Sequence, residues 1–406
     1  MEKKAFWLIG ILGALILGLF VVGVVLAEKD PMDGYVAPAE TALRDKQKQS
    51  QDELAKQTPI TPEQPAVIST ASHIKTPKTV KALYMSAWVA STPSMRDKII
   101  NLVDTTTINA VVIDIKDATG RVSFLVDDPV VAETGSPRDL IKNVSGLIQT
   151  LHEKNIYVIG RISTFQDPFL THLKPDWAIK SKSTGGVWKD KKGLSFLDPT
   201  NEHVWDYVVR LALASSAKGF DEINFDYIRF PSDGNVKDIA YPTNISSKAD
   251  AIETFFKHLH GKMSAAGITT SADLFGMTTT NSDDLGIGQV LEKALPYFDY
   301  IAPMIYPSHY PTGYNGFKNP ATKPYEVVTI AMKKGVERAQ AIQLDASHFR
   351  PWIQDFDMGA TYTAEMVRDQ MRALEEQGID SYMVWDPANT YTVAAYDKEK
   401  TLSVAQ

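Results

Sequence analysis

The chain has 406 residues, 44% of them hydrophobic and 22% charged, a composition that fits one large globular body with appendages and excludes a fibrous or wholly disordered protein. Cysteine is absent, so disulfides, thiolate metal sites and a cysteine nucleophile are excluded and stability must come from the core. A net charge of −7 and a pI near 5.7, with no basic stripe to neutralise phosphates, argue against nucleic acid as a partner; Lys189, Lys191 and Lys192 form only a short loop cluster.

Ala5 to Ala27 is a charge-free apolar run of 23 residues, long enough to span a bilayer. Lys3 and Lys4 precede it and should stay cytoplasmic, which places everything after Ala27 outside. The other reading is a cleaved signal peptide, with Val25 and Ala27 as the small-residue pattern before Glu28, but the run is longer than the usual core of such a peptide. Residues 28–79 shift to Gln, Lys, Pro, Thr and Ala and read as a flexible spacer, extended by Pro59, Pro62, Pro65 and Pro77. The expected organisation is an anchor or signal segment (1–27), a linker (28–79) and one domain (80–406), monomeric and external.

After Thr79 short apolar or alternating runs are separated by amphipathic stretches. Strands are expected at Val80 to Trp88, Ala110 to Lys116, Tyr157 to Ser163, Glu222 to Arg229, Thr270 to Phe275, Tyr300 to Tyr306, Arg350 to Gln354 and Ser381 to Asp386. Between them Val204, Val208 and Leu211, then Ile252, Phe255, Phe256, Leu259 and Met263, then Val367, Met371 and Leu374 recur at helical spacing, with Gly267 and Gly378 as stops. Eight strand–helix alternations suit a (β/α)8 barrel, and a doubly wound open sheet is the alternative.

The fourth strand is the most informative. Glu222, Asn224 and Asp226 share one face while Ile223 and Phe225 share the other, as a period of two requires when one side packs on helices and the other looks into a lumen. Carboxylates inside a strand are costly unless paired or employed, so the face is either a salt-bridge layer or catalytic. The same parity puts Asp114 and Lys116 in the lumen from strand two, Arg161 and Ser163 from strand three, Ser271 and Asp273 from strand five, Tyr84, Ser86 and Trp88 from strand one, and Met383 and Trp385 from strand eight.

Glycosidic cleavage needs one carboxyl to protonate the leaving oxygen and another to attack carbon or activate water. Asp226 and Asp273 are the candidates: Lys116, Arg161 and Arg229 are placed to keep Asp226 ionised, and the less compensated Asp273 is placed to hold a proton. Asp114 and Glu222 either line the substrate or pair with Lys116 or Arg161 lower down. Tyr306 and His309 are candidates to bond a sugar hydroxyl. Asp355 is a candidate to orient substrate or to cap a helix. Trp88 and Trp385 offer flat faces for a pyranose ring, or are core aromatics. The long insert from Phe165 to Pro199, with Trp177 and Trp188, is expected to form a lid or subsite wall. Gly286-Ile287-Gly288 lacks a third glycine, and His258 and His260 face different sides of a helix, so no cofactor and no metal is expected.

Gly160-Arg161-Ile162 with Phe165-Gln166-Asp167-Pro168, the segment Gly219 to Pro231, Ser271-Ala272-Asp273-Leu274-Phe275-Gly276, Ala302 to Tyr310, Arg350 to Phe356 and Trp385-Asp386-Pro387 together resemble a glycoside hydrolase domain family of bacteria, distantly similar to the α-amylase-like barrels. The resemblance runs from about Val80 to Tyr391 and implies a hydrolase-like barrel acting on a polysaccharide or oligosaccharide. In α-amylase-like barrels the nucleophile ends strand four, the position of Asp226. The acid near the end of strand five is a Glu there, where this chain has Asp273. The alternative to an enzyme is a catalytically silent carbohydrate-binding barrel of the cell envelope. A scaffold for envelope proteins is the third possibility.

Overall fold

The computed structural model describes residues 71–242 and 245–397; the apolar run and the spacer up to residue 70 lie outside the described residues. Eight parallel strands close into a barrel: β1 Lys81–Met85, β2 Ala110–Lys116, β3 Tyr157–Ser163, β4 Glu222–Asp226, β5 Thr269–Phe275, β6 Tyr300–Met304, β7 Trp352–Gln354 and β8 Tyr382–Trp385, with β8 hydrogen-bonded back to β1. The longer helices α1 Pro93–Thr105, α2 Val144–His152, α3 Glu202–Ser216, α4 Lys248–Ala265, α5 Pro324–Gln340 and α6 Ala364–Glu375 lie between strands in the chain order of a (β/α)8 fold. Among the described residues no helix is long and apolar enough to cross a membrane.

The period of two sorts the strands into two cores. Val111, Ile113 and Ile115 of β2 and Ile223 and Phe225 of β4 join the large shell between strands and helices, with Val208 of α3 and Phe255 and Leu259 of α4. Ala82, Tyr84, Val112, Tyr157, Ile159, Ala302, Trp352 and Met383 form a smaller cluster inside the barrel. Register levels the polar residues: Asp114 pairs with Arg161, Arg161 with Asn224, and Asn224 with Ser271. Hydrogen bonding between adjacent strands at these levels holds neighbouring side chains at one height in the lumen.

Two strands end earlier than their alternation suggests, and each end relocates a residue. β1 stops at Met85 because Ser86 caps a short helix, Ala87–Ser91, its side chain accepting from Val89 N. Trp88 therefore does not line the strand; it sits on that helix, 62% exposed. β4 stops at Asp226 because Tyr227 adopts φ 52°, a left-handed conformation costly for an aromatic residue.

Lys116 does not face the lumen. A register irregularity between Asp114 and Lys116 turns its side chain outward, where Nζ donates to Asp167 Oδ2 at 2.7 Å and lies 5.5 Å from the ring of Tyr207. Lys116 and Asp167 are both fully buried, so this pair holds the β3 loop against α3 rather than serving the lumen.

The insert after β3 folds onto its own neighbours. Lys180–Ser181 pairs antiparallel with Ile239–Ala240, and Trp188 is buried there with its indole N–H donating to Asn235 O at 3.1 Å. Trp177 is half-buried and stacks on His203 of α3. Residues 71–79 run beneath the barrel: Ile74 N donates to Asp221 Oδ1 at 2.7 Å, and Thr76 Oγ1 bonds Tyr157 Oη at 3.0 Å.

Candidate active site

Near the C-terminal ends of β2 to β5 three carboxyl groups converge on one guanidinium. Arg161 on β3 donates from Nη1 to Asp114 Oδ1 at 2.7 Å, and from Nε at 3.1 Å and Nη2 at 2.5 Å to Asp226 Oδ2. Its Nε lies 3.8 Å from Asp273 Oδ2, too far for a hydrogen bond. All four residues are buried. A planar fork with donors on two edges serves two carboxylates at once, which a lysine could not do.

Each acid has a different set of partners. Asp114 accepts from Tyr84 Oη at 2.5 Å; burial pushes its carboxyl up while Arg161 draws it back. Asp226 Oδ1 accepts from the N–H of Tyr227 at 2.6 Å. Asp273 accepts at Oδ1 from Asn224 Nδ2 at 2.8 Å and from Trp352 Nε1 at 2.7 Å. Burial, and then the charge of Asp226, hold Asp273 well above the usual carboxylate range. With one guanidinium among three buried acids, Asp273 is the one of the three that has no hydrogen bond to Arg161.

An aromatic wall stands over this cluster. Tyr84 and Trp385 stack with ring centroids 4.0 Å apart, Trp352 meets Trp385 edge-on at 5.6 Å, and the Arg161 guanidinium lies 5.2 Å from the Trp385 centroid. Trp385 is half-buried, with part of its ring left open. Tyr306 sits close enough to Asp273 and Asp226 that burial and both charges push its hydroxyl well up. His309, in the turn Pro307–His309, is exposed beside it and packs edge-on against Tyr306 and Phe356.

Several expected site residues lie elsewhere. Glu222 is fully buried two residues below Asn224, where both its oxygens take Arg350 Nη1 at 2.7 Å and Tyr157 Oη donates at 3.1 Å; its partner is Arg350, not Lys116 or Arg161. Arg229 donates to Phe230 O and Ser232 Oγ and does not reach Asp226. Asp355 faces away from the lumen, its Oδ2 accepting from Thr392 N at 2.8 Å and Tyr396 Oη at 2.6 Å, so it ties down the segment after β8. Its neighbour Asp386, beyond β8, is pushed up to about 6 by burial and then by the Asp355 charge.

Three residues at or below the site were not among the candidates. Tyr227 is invisible in sequence because nothing there marks a left-handed turn. Trp352 and Arg350 share the parity of Gln354, and that period of two was the available signal. A shallow cleft of about 370 Å³ lined by His260, Phe298, Tyr300 and His348 lies at the opposite, N-terminal end of the strands, away from the carboxylates. Among the described residues no group of three or more His, Cys, Asp or Glu side chains is placed to hold a metal ion.

A family model described as "Putative glycosyl hydrolase domain" matches residues 82–391, most of the chain. The chain belongs to this family of glycosyl hydrolase domains. The glycoside hydrolase domain of PgaB (BpsB) from Bordetella bronchiseptica is 13% identical with TM-score 0.59, the match covering 79% of this chain and 99% of that one. The catalytic domain of β-amylase from Paenibacillus polymyxa is 10% identical with TM-score 0.50, covering 80% and 96%. A hypothetical protein from Ruminiclostridium thermocellum is 36% identical over 50% of this chain and 98% of its own, with TM-score 0.44. No curated protein matches the chain. The two barrels at low identity support the fold; the family membership makes the domain a glycosyl hydrolase domain by class.

Proposed function

We propose that the protein hydrolyses glycosidic bonds of an extracellular or cell-envelope polysaccharide, with Asp273 as general acid and Asp226 as nucleophile or base. The observation that carries this reading is the charge imbalance in the lumen: among the described residues Asp114, Asp226 and Asp273 share one guanidinium, Arg161, and Asp273, without a hydrogen bond to it, is pushed well up by burial and by the charge of Asp226. In the proposed step the proton of Asp273 passes to the leaving oxygen as its bond to the anomeric carbon breaks. As that bond breaks, either Asp226 bonds the anomeric carbon to form the glycosyl-enzyme, which water then hydrolyses, its proton passing to Asp273 and Asp226 leaving as the carboxylate, or Asp226 takes a proton from a water that attacks the carbon instead. Because Oδ2 of Asp226 and Oδ2 of Asp273 both contact Arg161 Nε, at 3.1 and 3.8 Å, they lie no further apart than those two distances together. Such closeness leaves out the wider part of the ~6.5 to 9.5 Å range typical of inverting enzymes.

Trp385 and Tyr306 supply the ring face and hydroxyl that hold the sugar, with His309 at the rim and Trp88 further out on the lip. The apolar run Ala5 to Ala27 and the polar spacer support an arrangement in which residues 1–27 anchor the chain and 28–79 hold a monomeric body outside the membrane, or release it if the run is cleaved.

A second reading is a silent carbohydrate-binding barrel, and one observation favours it. Both oxygens of Asp226 are already engaged, Oδ2 by Arg161 and Oδ1 by Tyr227 N, so attack requires Arg161 to yield. Incubating the full chain with a panel of polysaccharides and analysing products separates the two. New reducing ends support hydrolysis, and binding without products from any member supports the silent barrel.

A further inference from the structure

The hydrogen bonds around Asp273 single out one of its two oxygens. Trp352 Nε1 and Asn224 Nδ2 both donate to Oδ1, at 2.7 and 2.8 Å. An indole nitrogen is a donor only, so Oδ1 must be accepting there. Asn224 Nδ2 also lies 3.0 Å from Ser271 Oγ, a hydroxyl that can accept from it. Two N–H groups fill both lone pairs of a carbonyl oxygen, so a proton on this carboxyl has its place on the other oxygen. That oxygen, Oδ2, lies 3.8 Å from Arg161 Nε, the atom that donates to Asp226.

We propose that Trp352 and Asn224 are positioning residues that fix the acid proton of Asp273 on Oδ2, aimed into the space shared with Asp226. They reach Asp273 from two other strands, β7 and β4, and all three side chains are buried, so the carboxyl cannot rotate to exchange its oxygens without breaking both bonds. An acid whose proton could sit on either oxygen would present it to the leaving group only part of the time; here the orientation is set before substrate arrives. Both donors also favour the carboxylate left behind after transfer, which lowers the cost of giving the proton up. The catalytic consequence rests on the reading of Asp273 as general acid, whereas the placement of the proton does not.

The test uses the full chain in detergent, labelled with carbon-13 at its aspartate carboxyls, with the Asp273 resonance identified by its loss in Asp273→Asn. In the wild type the resonance should remain that of a protonated acid through neutral pH. Trp352→Phe keeps an aromatic ring, a smaller one, and removes one donor. It should move the Asp273 midpoint up by about one pH unit, the size of one hydrogen bond to a charged group. The alkaline limb of the hydrolysis rate, on whichever panel polysaccharide the wild type cleaves, should move with it, a change that loss of packing alone would not produce. Asn224→Leu removes the other donor and serves if Trp352→Phe does not fold. A wild-type Asp273 that titrates in the ordinary carboxylate range, or a midpoint unmoved in a folded variant, overturns the inference. Full hydrolysis by Asp273→Asn would instead overturn the general-acid reading and leave the proton placement standing.

Discussion

The floor and the mouth of this barrel are built from the same residue types with opposite outcomes. At the floor Glu222 meets Arg350, one acid to one base, with Tyr157 Oη added, and no charge is left over. At the mouth one guanidinium among the described residues, Arg161, faces Asp114, Asp226 and Asp273, and burial with the charge of Asp226 pushes the Asp273 carboxyl well up. Burial alone therefore does not mark a catalytic carboxylate. Glu222 is as buried as Asp273, and what separates them is whether the charges around each one balance.

The comparison breaks most sharply at Asp226. Asp226→Asn keeps the shape of the mouth and removes its charge, so hydrolysis of any panel polysaccharide should fall by roughly three orders of magnitude or more while binding persists. Turnover at the wild-type rate would make the mouth a second salt-bridge layer. The floor should respond in the other direction. Glu222→Gln leaves Arg350 without a counter-charge in the core and should cost about 3 to 5 kcal/mol of stability in denaturant unfolding, with the turnover of folded molecules unchanged. A smaller effect is expected on the aromatic wall: Trp385→Ala should weaken oligosaccharide binding by ~1 to 2 kcal/mol in calorimetry, the loss of one ring face. Unchanged affinity would confine Trp385 to packing on Tyr84.

The barrel and its lumen were legible in the sequence because a strand has one strict rule, alternation, and Glu222, Asn224 and Asp226 obey it against Ile223 and Phe225. The errors fall where the alternation is interrupted. A bulge after Asp114 sent Lys116 outward, a serine cap ended β1 before Trp88, and a left-handed Tyr227 ended β4 before Arg229. None of these leaves a mark in a pattern of apolar and polar residues. Asp355 and Trp352 differ, since both obey the parity of β7 and could have been sorted by it. Partner choice was the other blind point: the arginine that meets Glu222 lies 128 residues away, and spacing along one strand cannot announce a contact across the barrel.

The central claim, that the mouth keeps Asp273 protonated and so carries an acid ready to act, is tested most directly by the pH dependence of stability. A carboxyl whose folded pKa is raised binds its proton more tightly folded than unfolded, so its contribution is fully present below about pH 4 and is lost as pH rises toward the folded value. Asp273→Asn cannot ionise, and it keeps an oxygen to accept from Asn224 and Trp352. Unfolding of the full chain should therefore show the variant more stable than the wild type at neutral pH, with a margin that grows on going from acid to neutral, and without hydrolytic activity. A variant that is less stable at neutral pH, with the deficit vanishing in acid, would show Asp273 to be an ionised partner of Arg161 and would contradict the account.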